Sequence, residues 1–146
     1  MAEGSGPTEW FPHPVGVGPW EVENPGVPRP TGEEYDPDLL DDGDRRNVVD
    51  AYRWWRTEAI IADIDTRRHA LHIAIENFEN DSNIGTVVRT ANAFAVDTVH
   101  IVGRKRWNRR GAMVTDRYQH LEHRPDTGSV MAYAAAHDLT VVAVDN

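Results

Sequence analysis

The fold class of this chain is decided by residues 83–94, which read Asn-Ile-Gly-Thr-Val-Val-Arg-Thr-Ala-Asn-Ala-Phe. A strand is predicted on each side of this stretch, from Leu71 to Asn77 before it and from Thr98 to Val102 after it. Both strands are short and largely apolar, as parallel strands covered on both faces are. The stretch itself predicts a helix from about Ile84 to Phe94, so that the three elements form a βαβ unit.

The same alternation continues toward the C terminus. A basic loop follows the second strand, and after it come a helix from about Ser129 to His137 and a strand Thr140–Val144. Asp97 is expected in the turn before the second strand. Three strands that alternate with two helices predict the α/β class, with a parallel sheet, flanking helices and right-handed crossovers.

Residues 1–46 differ in composition from the rest of the chain. They hold all but one of the prolines, most of the glycines and many acidic residues. We expect an extended, largely disordered segment, because it offers little apolar surface to bury. Trp10, Phe11 and Trp20 are exceptions that could dock onto the folded domain or onto a partner.

Residues 47–68 predict a single amphipathic helix. Apolar side chains recur there at steps of three and four, and neither Gly nor Pro interrupts them. Asp44 is the expected N-cap of this helix. The helix could cover one sheet face or a dimer seam, and it leaves residues 69–146 as the α/β domain.

Size and composition exclude several classes of protein. A chain of 146 residues has the length of one domain. It contains no apolar run near the ~18 residues of a membrane span and no signal-peptide pattern. The absence of cysteine excludes disulfides and thiolate metal sites and is consistent with a cytoplasmic protein. The net charge is −9, of which residues 1–66 contribute −10 and residues 67–146 contribute +1, so the predicted domain can meet a polyanion.

Asn83 and Arg89 are placed where α/β proteins bind ligands. The carboxyl end of a parallel strand and the start of the next helix form a crevice at the sheet edge. Arg89 lies one to two turns into the helix, from where its guanidinium can point back to an anion held by the free N–H groups of the helix start. Asn83 can cap the helix or bond to a substrate, and Gly85 permits close backbone approach.

The loop after the second strand is strongly basic and contains one aromatic residue. Its cations, which we expect to be exposed and mobile, can neutralise phosphates, and its tryptophan can stack on a base. Its position after a parallel strand predicts the same sheet edge as Arg89. The predicted RNA-binding residues are Arg104, Lys105, Arg106, Trp107, Arg109 and Arg110. Weaker candidates further along the loop are Asp116, Arg117, Tyr118 and His120.

The combined pattern over about residues 71–103 resembles the first motif of the SpoU (TrmH-like) RNA 2′-O-ribose methyltransferases, which belong to the knotted SPOUT class. One departure is Ala95, where the family often has Gly. The resemblance implies an enzyme that transfers a methyl group from S-adenosylmethionine to a ribose 2′-hydroxyl of tRNA or rRNA. It also implies that Arg89 takes part in deprotonating that hydroxyl, with Asn83 beside it. Because arginine side chains stay protonated up to about pH 12, a second role for Arg89 is an electrostatic clamp on the phosphate and the developing alkoxide.

The resemblance covers only the first half of such a catalytic domain. In the family the methyl donor sits in a C-terminal trefoil knot, built by a Gly-rich loop with a Phe-Gly-x-Glu-like signature and a later Ser-Leu-Asn-rich segment. Neither motif occurs here, so we expect no cofactor-binding residue in this chain and interpret it as truncated and inactive alone. Family members are usually homodimers through their knot helices, which implies a homodimer for the full-length protein but not for this chain.

Two other functions stay open at this point. A non-catalytic RNA-binding α/β module would use the basic loop and Arg89 without a methyl donor. A nucleotide-binding domain of another kind has less support, because the first loop contains neither a G-x-G-x-x-G nor a P-loop sequence. The histidines, His69, His72, His120 and His123 among them, lack carboxylate or cysteine partners at metal-binding spacing, so no metal is expected. The gene sequence beyond codon 146 would distinguish the enzyme from the binder.

Overall fold

The computed structural model describes residues 16–144, and the chain divides into two units at the boundary between Ala59 and Ile60. In chain order the α-helices are α1 (Trp20–Glu23), α2 (Pro37–Asp42), α3 (Thr57–Asp65), α4 (Ile84–Ala93) and α5 (Thr127–Ala136). The strands are β1 (His69–Asn77), β2 (Val96–Gly103) and β3 (His120–Arg124). Short 3₁₀ helices occupy Asp50–Tyr52, Arg109–Ala112 and Thr115–Arg117. Within this described range, no helix is both long and apolar enough to span a membrane.

The three strands form one parallel sheet with β2 in the centre. Ile73 of β1 lies opposite Val99 of β2, and Val99 lies opposite Leu121 of β3. The sheet is parallel, α4 connects β1 to β2, and α5 follows β3. The predicted α/β class with a parallel sheet and flanking helices is therefore confirmed. The bounds of β1, α4 and β2 agree with the prediction to within two residues, although Asp97 lies in β2 rather than in the turn before it.

One face of the sheet is covered by α4. Ile84, Val88 and Ala91 recur along this helix at helical spacing, and each is at most 1 % exposed. They pack against Val99 and Ile101 of β2 in one apolar cluster. Burial contributes roughly 1.5–3 kcal/mol for each Val or Ile side chain, so this cluster supplies a large part of the stability of the second unit.

The opposite face of the sheet is polar and is covered by α5. Because successive side chains of a strand alternate between faces, His100 of β2 points away from the apolar cluster. Its ring stacks on His72 of β1, with centroids 5.4 Å apart, and lies 4.8 Å from the ring of Tyr133 in α5. The helix α5 begins after Asp126, whose Oδ1 accepts a hydrogen bond from the Ser129 N–H at 2.7 Å.

The prediction of a third strand at Thr140–Val144 is wrong. That segment has no regular secondary structure, and its valines are exposed, Val142 at 78 %. The third strand is instead His120–Arg124, which the sequence analysis assigned to a loop. Its residues read His-Leu-Glu-His-Arg, a polar composition that an edge strand accepts. The valine-rich segment has the higher β propensity, but propensity depends on the neighbours against which a strand packs.

Residues 16–46 contain ordered structure where the sequence predicts an extended, largely disordered segment. Asp44 is fully buried, and its carboxylate accepts hydrogen bonds from the Arg46 Nε at 2.9 Å and the Trp54 N–H at 3.0 Å. Burial alone would raise the pKa of Asp44, but the hydrogen bonds from Arg46 and Trp54 outweigh it and lower this pKa. Composition did not predict this order, because a single buried ion pair depends on spatial arrangement and not on residue counts.

The predicted helix over residues 47–68 is wrong in its first half. A 3₁₀ helix at Asp50–Tyr52 is followed by α3, which begins only at Thr57. Trp54 has a positive φ of 61°, which a continuous right-handed helix does not accommodate. Its N–H donates to Asp44 and not to a preceding helical turn. The next helical residue after Asp44 is Asp50, so Asp44 is not a helix N-cap.

Aromatic contacts order the first unit as well. The rings of Trp20 and Trp54 meet edge to face, with centroids 5.0 Å apart, and the Trp54 Nε1 donates to the Gly18 carbonyl at 3.1 Å. Such aromatic pairs contribute about 0.5–1.5 kcal/mol beyond the area they bury. Trp20 therefore packs inside this unit, while Trp10 and Phe11 lie outside the described residues.

Candidate functional site

The start of α4 and the basic loop lie at the same edge of the sheet. The helix follows the carboxyl end of β1, and residues 104–110 follow the carboxyl end of the parallel β2. A Cβ on Gly85 would lie 2.6 Å from the Ala112 nitrogen and 2.7 Å from the Gly111 Cα, so no side chain fits between these backbones. The close approach expected at Gly85 is therefore made to the protein's own loop, and it joins that loop to α4.

Asn77, the last residue of β1, organises the first part of the basic loop. Its side chain is buried, and its Nδ2 donates to the carbonyl oxygens of Arg104 at 2.7 Å and of Arg106 at 3.0 Å. In return, the Arg104 guanidinium donates to the carbonyl oxygens of Asn77, at 3.3 Å, and of Phe78. Arg104 thus ties the ends of β1 and β2 together, and the sequence analysis missed this role for both residues.

Asp81 holds the second part of the loop. Its Oδ2 accepts a hydrogen bond from the Asn108 N–H at 2.8 Å, and the Asn108 Oδ1 accepts one from the Arg110 N–H at 3.0 Å. The backbone of residues 104–110 is therefore hydrogen-bonded at both ends. This differs from the mobile loop that a run of exposed cations suggested.

Asn83, which precedes α4, and Arg89, midway along that helix, are both exposed. Among residues 16–144, neither side chain has a hydrogen-bond or ion-pair partner. Asn83 precedes α4 with helical dihedral angles, φ −92° and ψ −15°, and its side chain does not cap the helix. Six residues correspond to about one and two-thirds turns of helix, so the two side chains leave α4 in different directions. The site therefore offers a guanidinium and an amide to a ligand, without a direct contact between them.

The remaining cations of the basic loop fall into two groups. Arg109 forms an ion pair with Asp116, with Nη1 3.0 Å from Oδ2. Lys105, Arg106 and Arg110 are exposed, and in the described part of the chain no side chain pairs with theirs. These three residues are the positive charges that a polyanion can reach without displacing an internal partner.

Trp107 connects the basic loop to the core. It is half-buried and packs against the apolar cluster beneath α4. The Arg109 guanidinium lies over its indole ring, 5.5 Å from the centroid, which is within the range of a cation–π interaction. Asp116, whose side chain is 9 % exposed, forms an ion pair with that guanidinium. Trp107 is therefore a supported aromatic surface with a cation beside it.

Tyr118 and His120, two of the weaker candidates for RNA binding, lie at the amino-terminal ends of the parallel strands, opposite the basic loop. Tyr118 is largely buried, and its carbonyl accepts a hydrogen bond from the Arg68 Nη2 at 2.6 Å. His120 begins β3, and its Nε2 lies 2.8 Å from the Asp65 Oδ1. Burial would raise the pKa of Asp65, but Arg68 and His120 outweigh it and lower this pKa. These contacts are structural and lie away from the start of α4.

A group of titratable side chains lies on the α5 side of the sheet. The Arg124 Nε donates to the His100 Nδ1 at 3.2 Å, and the His100 Nε2 lies 3.2 Å from the His72 Nδ1. Burial of His100 and the charges of Arg124 and His72 lower the pKa of His100, whereas Glu122 and Asp97 act in the opposite direction. No group of three or more metal-binding side chains is present among residues 16–144.

Comparison with known protein families gives a match to this part of the chain. The model of the SpoU rRNA Methylase family matches residues 70–146, which is more than half of the chain. The matched range contains Asn83, Arg89 and the whole basic loop. Neither a curated protein nor a solved structure matches the chain.

Proposed function

Since this chain belongs to the SpoU rRNA methylase family, we propose that it serves to transfer a methyl group from S-adenosylmethionine to a ribose 2′-hydroxyl of tRNA or rRNA. Membership of this family supports RNA methyltransferase as the general activity, and the methyl donor and the ribose 2′-hydroxyl are the finer part of the proposal. The observation that carries the finer proposal is the exposed, unpartnered Arg89 on the helix that Gly85 joins to the basic loop. This arrangement supports a catalytic group and an RNA-binding surface at one sheet edge.

We assign RNA binding to the exposed residues of the basic loop. Lys105, Arg106 and Arg110 would neutralise phosphates, because their charges have no partner within the described residues. Each phosphate contact of this kind releases counterions, so the affinity would depend strongly on salt. Trp107 would add a stacking surface. Arg104 is assigned a structural part instead, since its guanidinium donates to backbone carbonyl oxygens.

We assign Arg89 the role of an electrostatic clamp. When the 2′-hydroxyl loses its proton, negative charge develops on the oxygen, and a guanidinium aimed at that oxygen and at the adjacent phosphate stabilises it. A guanidinium acts as a base only under extreme desolvation, whereas Arg89 is exposed. We therefore favour the clamp over the general base. Asn83, with its amide free of any cap, would bond to the ribose or phosphate beside it.

S-adenosylmethionine would supply the methyl group, but the described residues do not fit it. The close glycine contact at this edge, Gly85 against Gly111, is filled by backbone and leaves no cradle. The Gly-rich and Phe-Gly-x-Glu-like motifs of the family do not occur in the sequence either. We therefore assign the donor no residue of this chain, and we expect no methyl transfer by the 146-residue chain alone.

The test is transfer of a tritium-labelled methyl group to RNA by the protein expressed from its complete reading frame. Arg89→Ala should lower kcat by roughly 10²-fold or more, with little change in the KM for RNA. Arg89→Lys should not restore the rate, because a point charge does not reproduce the planar fork. Arg67→Ala is the matched control, since Arg67 is exposed, pairs with Asp63 at 2.7 Å and precedes β1 at the opposite sheet edge. A near wild-type rate for Arg89→Ala at saturating RNA would contradict the catalytic assignment.

A second candidate function is RNA binding without catalysis. It is favoured by a hydrogen-bonded cationic loop in a chain where no residue is assigned to the methyl donor. Both functions require RNA binding, so binding alone does not separate them. Filter binding of RNA by the complete protein, with no transfer of label, would support the second function.

A further inference from the structure

A pocket of about 310 Å³ opens beside Trp107, between the basic loop and the edge strand β3. Its walls combine apolar side chains of the strands with cations of the loop. The lining residues that matter here are Ile101, Lys105, Trp107, Arg109, Leu121 and His123. Ile101 and Leu121 belong to or border the apolar cluster, which places the pocket on the α4 side of the sheet.

The pocket has an apolar floor and one supported aromatic wall. Ile101 is 3 % exposed and Leu121 is half-buried. Trp107 packs on the same cluster, and Arg109, itself held by Asp116, lies over its ring. A flat aromatic surface that is already held in place costs little ordering entropy when a ligand stacks on it.

The polar groups of the pocket are few and have defined hydrogen-bonding capacity. His123 lies 2.7 Å through its Nε2 from the Gly103 carbonyl oxygen. A carbonyl oxygen only accepts, so the Nε2 N–H of His123 donates to it, and Nδ1 is left for a ligand. Lys105 is exposed and has no partner among residues 16–144. The Glu122 carboxylate, which would repel a phosphate, is paired with Arg124.

We propose that this pocket binds one unpaired nucleobase of the RNA, with the base against the exposed part of the Trp107 indole, beside the Arg109 guanidinium, and with the neighbouring phosphate at Lys105. The proposal rests on the proposed function, because it takes RNA as the ligand. The volume of about 310 Å³ is at the lower limit of small-molecule pockets and is large enough for one nucleobase. An aromatic wall beside cationic side chains is a combination by which proteins bind single-stranded nucleic acid. The pocket would thus make RNA binding depend on bases and not only on charge.

The test compares binding of two probes to the 146-residue chain: a pentaribonucleotide, and a ribose-phosphate pentamer of the same length without bases. Trp107→Leu should weaken binding of the pentaribonucleotide by about 10-fold or more, the effect of one lost base stack. It should leave binding of the abasic pentamer unchanged. Lys105→Ala should weaken both probes alike. Equal affinity of the wild type and Trp107→Leu for the pentaribonucleotide would overturn the proposal, as would an equal loss on the abasic pentamer.

Two further variants separate stacking from packing. Trp107→Phe also shortens the side chain but keeps an aromatic face, so it should retain most of the affinity if stacking is the cause. Matching losses for Phe and Leu would show that the indole acts only through the core. Trp55→Leu is the control, because Trp55 is a half-buried tryptophan of the first unit. It should leave both affinities unchanged.

The pocket can also be tested without reference to methyl transfer. Uridine and adenosine carry no charge, so their binding tests base contact without phosphate contact. On titration they should shift the nuclear magnetic resonance signals of the Trp107 indole N–H and the His123 ring in the wild type, and they should leave the His123 signal of Trp107→Leu in place. An acidic peptide that shifts the same signals in place of the nucleosides would assign the pocket to a protein partner and overturn the proposal. Nucleoside binding without any methyl transfer by the complete protein would support the base-binding pocket and contradict the proposed methyltransferase function. Methyl transfer by Trp107→Leu with an unchanged KM for RNA would support the methyltransferase function and contradict the base-binding pocket.

Discussion

Replacing Gly85 by alanine should destabilise the second unit, although alanine is the better helix former. Inside a helix the change from Gly to Ala gains up to about 1 kcal/mol. At Gly85, however, the added Cβ would lie 2.6 Å from the Ala112 nitrogen and 2.7 Å from the Gly111 carbonyl carbon. Both atoms are backbone atoms of the loop that packs on α4, so they cannot rotate away as the end of a side chain can.

The size of the effect follows from these two opposing contributions. Overpacking a well-packed site costs about 1–3 kcal/mol, and a contact with two backbone atoms belongs at or above the upper end. After the gain in helix propensity, we expect a net loss of about 2 kcal/mol. For a unit of this size that loss corresponds to a fall of roughly 10 °C in Tm. The loop should also move away from α4, so the affinity for RNA should fall with the stability.

Urea unfolding followed by circular dichroism measures the loss, and hydrogen exchange of the β2 amides assigns it to the second unit. Thr86→Ala is the matched control, because Thr86 is the exposed neighbour of Gly85 on the same helix. It should change the free energy of unfolding by less than about 0.5 kcal/mol. If Gly85→Ala proves as stable as the wild type, α4 and the loop are not in the contact described here.

Changing Arg106 and Arg110 together to Ala should lower the slope of log affinity for RNA against log salt by roughly 0.7 for each lost phosphate contact. Filter binding measures the slope, and an unchanged value would remove both residues from the RNA surface. His100→Gln should reduce the loss of stability that the protein shows as the pH falls below about 6.5. The pKa of His100 is lowered in the folded state, so the unfolded chain takes up the proton first and gains stability from it. Urea titrations at two pH values compare the variants, and equal pH dependence would contradict this. Asp44→Asn should cost the first unit roughly 3 kcal/mol or more, because it leaves Arg46 without its buried carboxylate. Urea unfolding followed by the near-ultraviolet circular dichroism of the tryptophans measures the loss. A change in the free energy of unfolding below about 0.5 kcal/mol would show that the ion pair is dispensable.

The βαβ unit could be predicted because its signals are local and agree with one another. The apolar runs of β1 and β2 indicate covered strands, and Ile84, Val88 and Ala91 repeat at helical spacing between them. Each signal lies within one element, so no knowledge of partners was needed. The family match over residues 70–146 covers the same stretch.

The elements that were predicted wrongly depend on contacts between distant residues. β3 is polar, and only its pairing with β2 makes it a strand. The helix predicted over residues 47–68 is interrupted at Trp54, whose N–H bonds to Asp44 ten residues earlier. Periodicity describes what a segment can do by itself, and it contains no information about a competing hydrogen bond from elsewhere in the chain.

The positions of the candidate site residues could be predicted in part for the same reason. Asn83 and Arg89 lie in one contiguous motif, and their position at the sheet edge follows from strand order alone. Asn77 was missed, although one signal was present: a lone amide at the end of an apolar strand, just before an acidic loop. Its partners are carbonyl groups some thirty residues away. A backbone acceptor has no sequence signature, so the pairing had to come from the structure.

The hydrogen bonds around the basic loop change how its cations should bind RNA. A mobile cationic loop loses conformational entropy when a polyanion fixes it, at a cost of roughly 1–2 kcal/mol for each ordered residue. Here Asn77 and Asp81 hold the backbone from the side of β1, and the Arg104 guanidinium donates to carbonyl oxygens at the end of β1. Much of the ordering cost is therefore met in folding, before RNA arrives. Arg104 thus contributes to an ordered RNA-binding surface and not to a phosphate contact of its own. Asn77→Ala should therefore weaken RNA binding more than the loss of any single exposed cation of this loop.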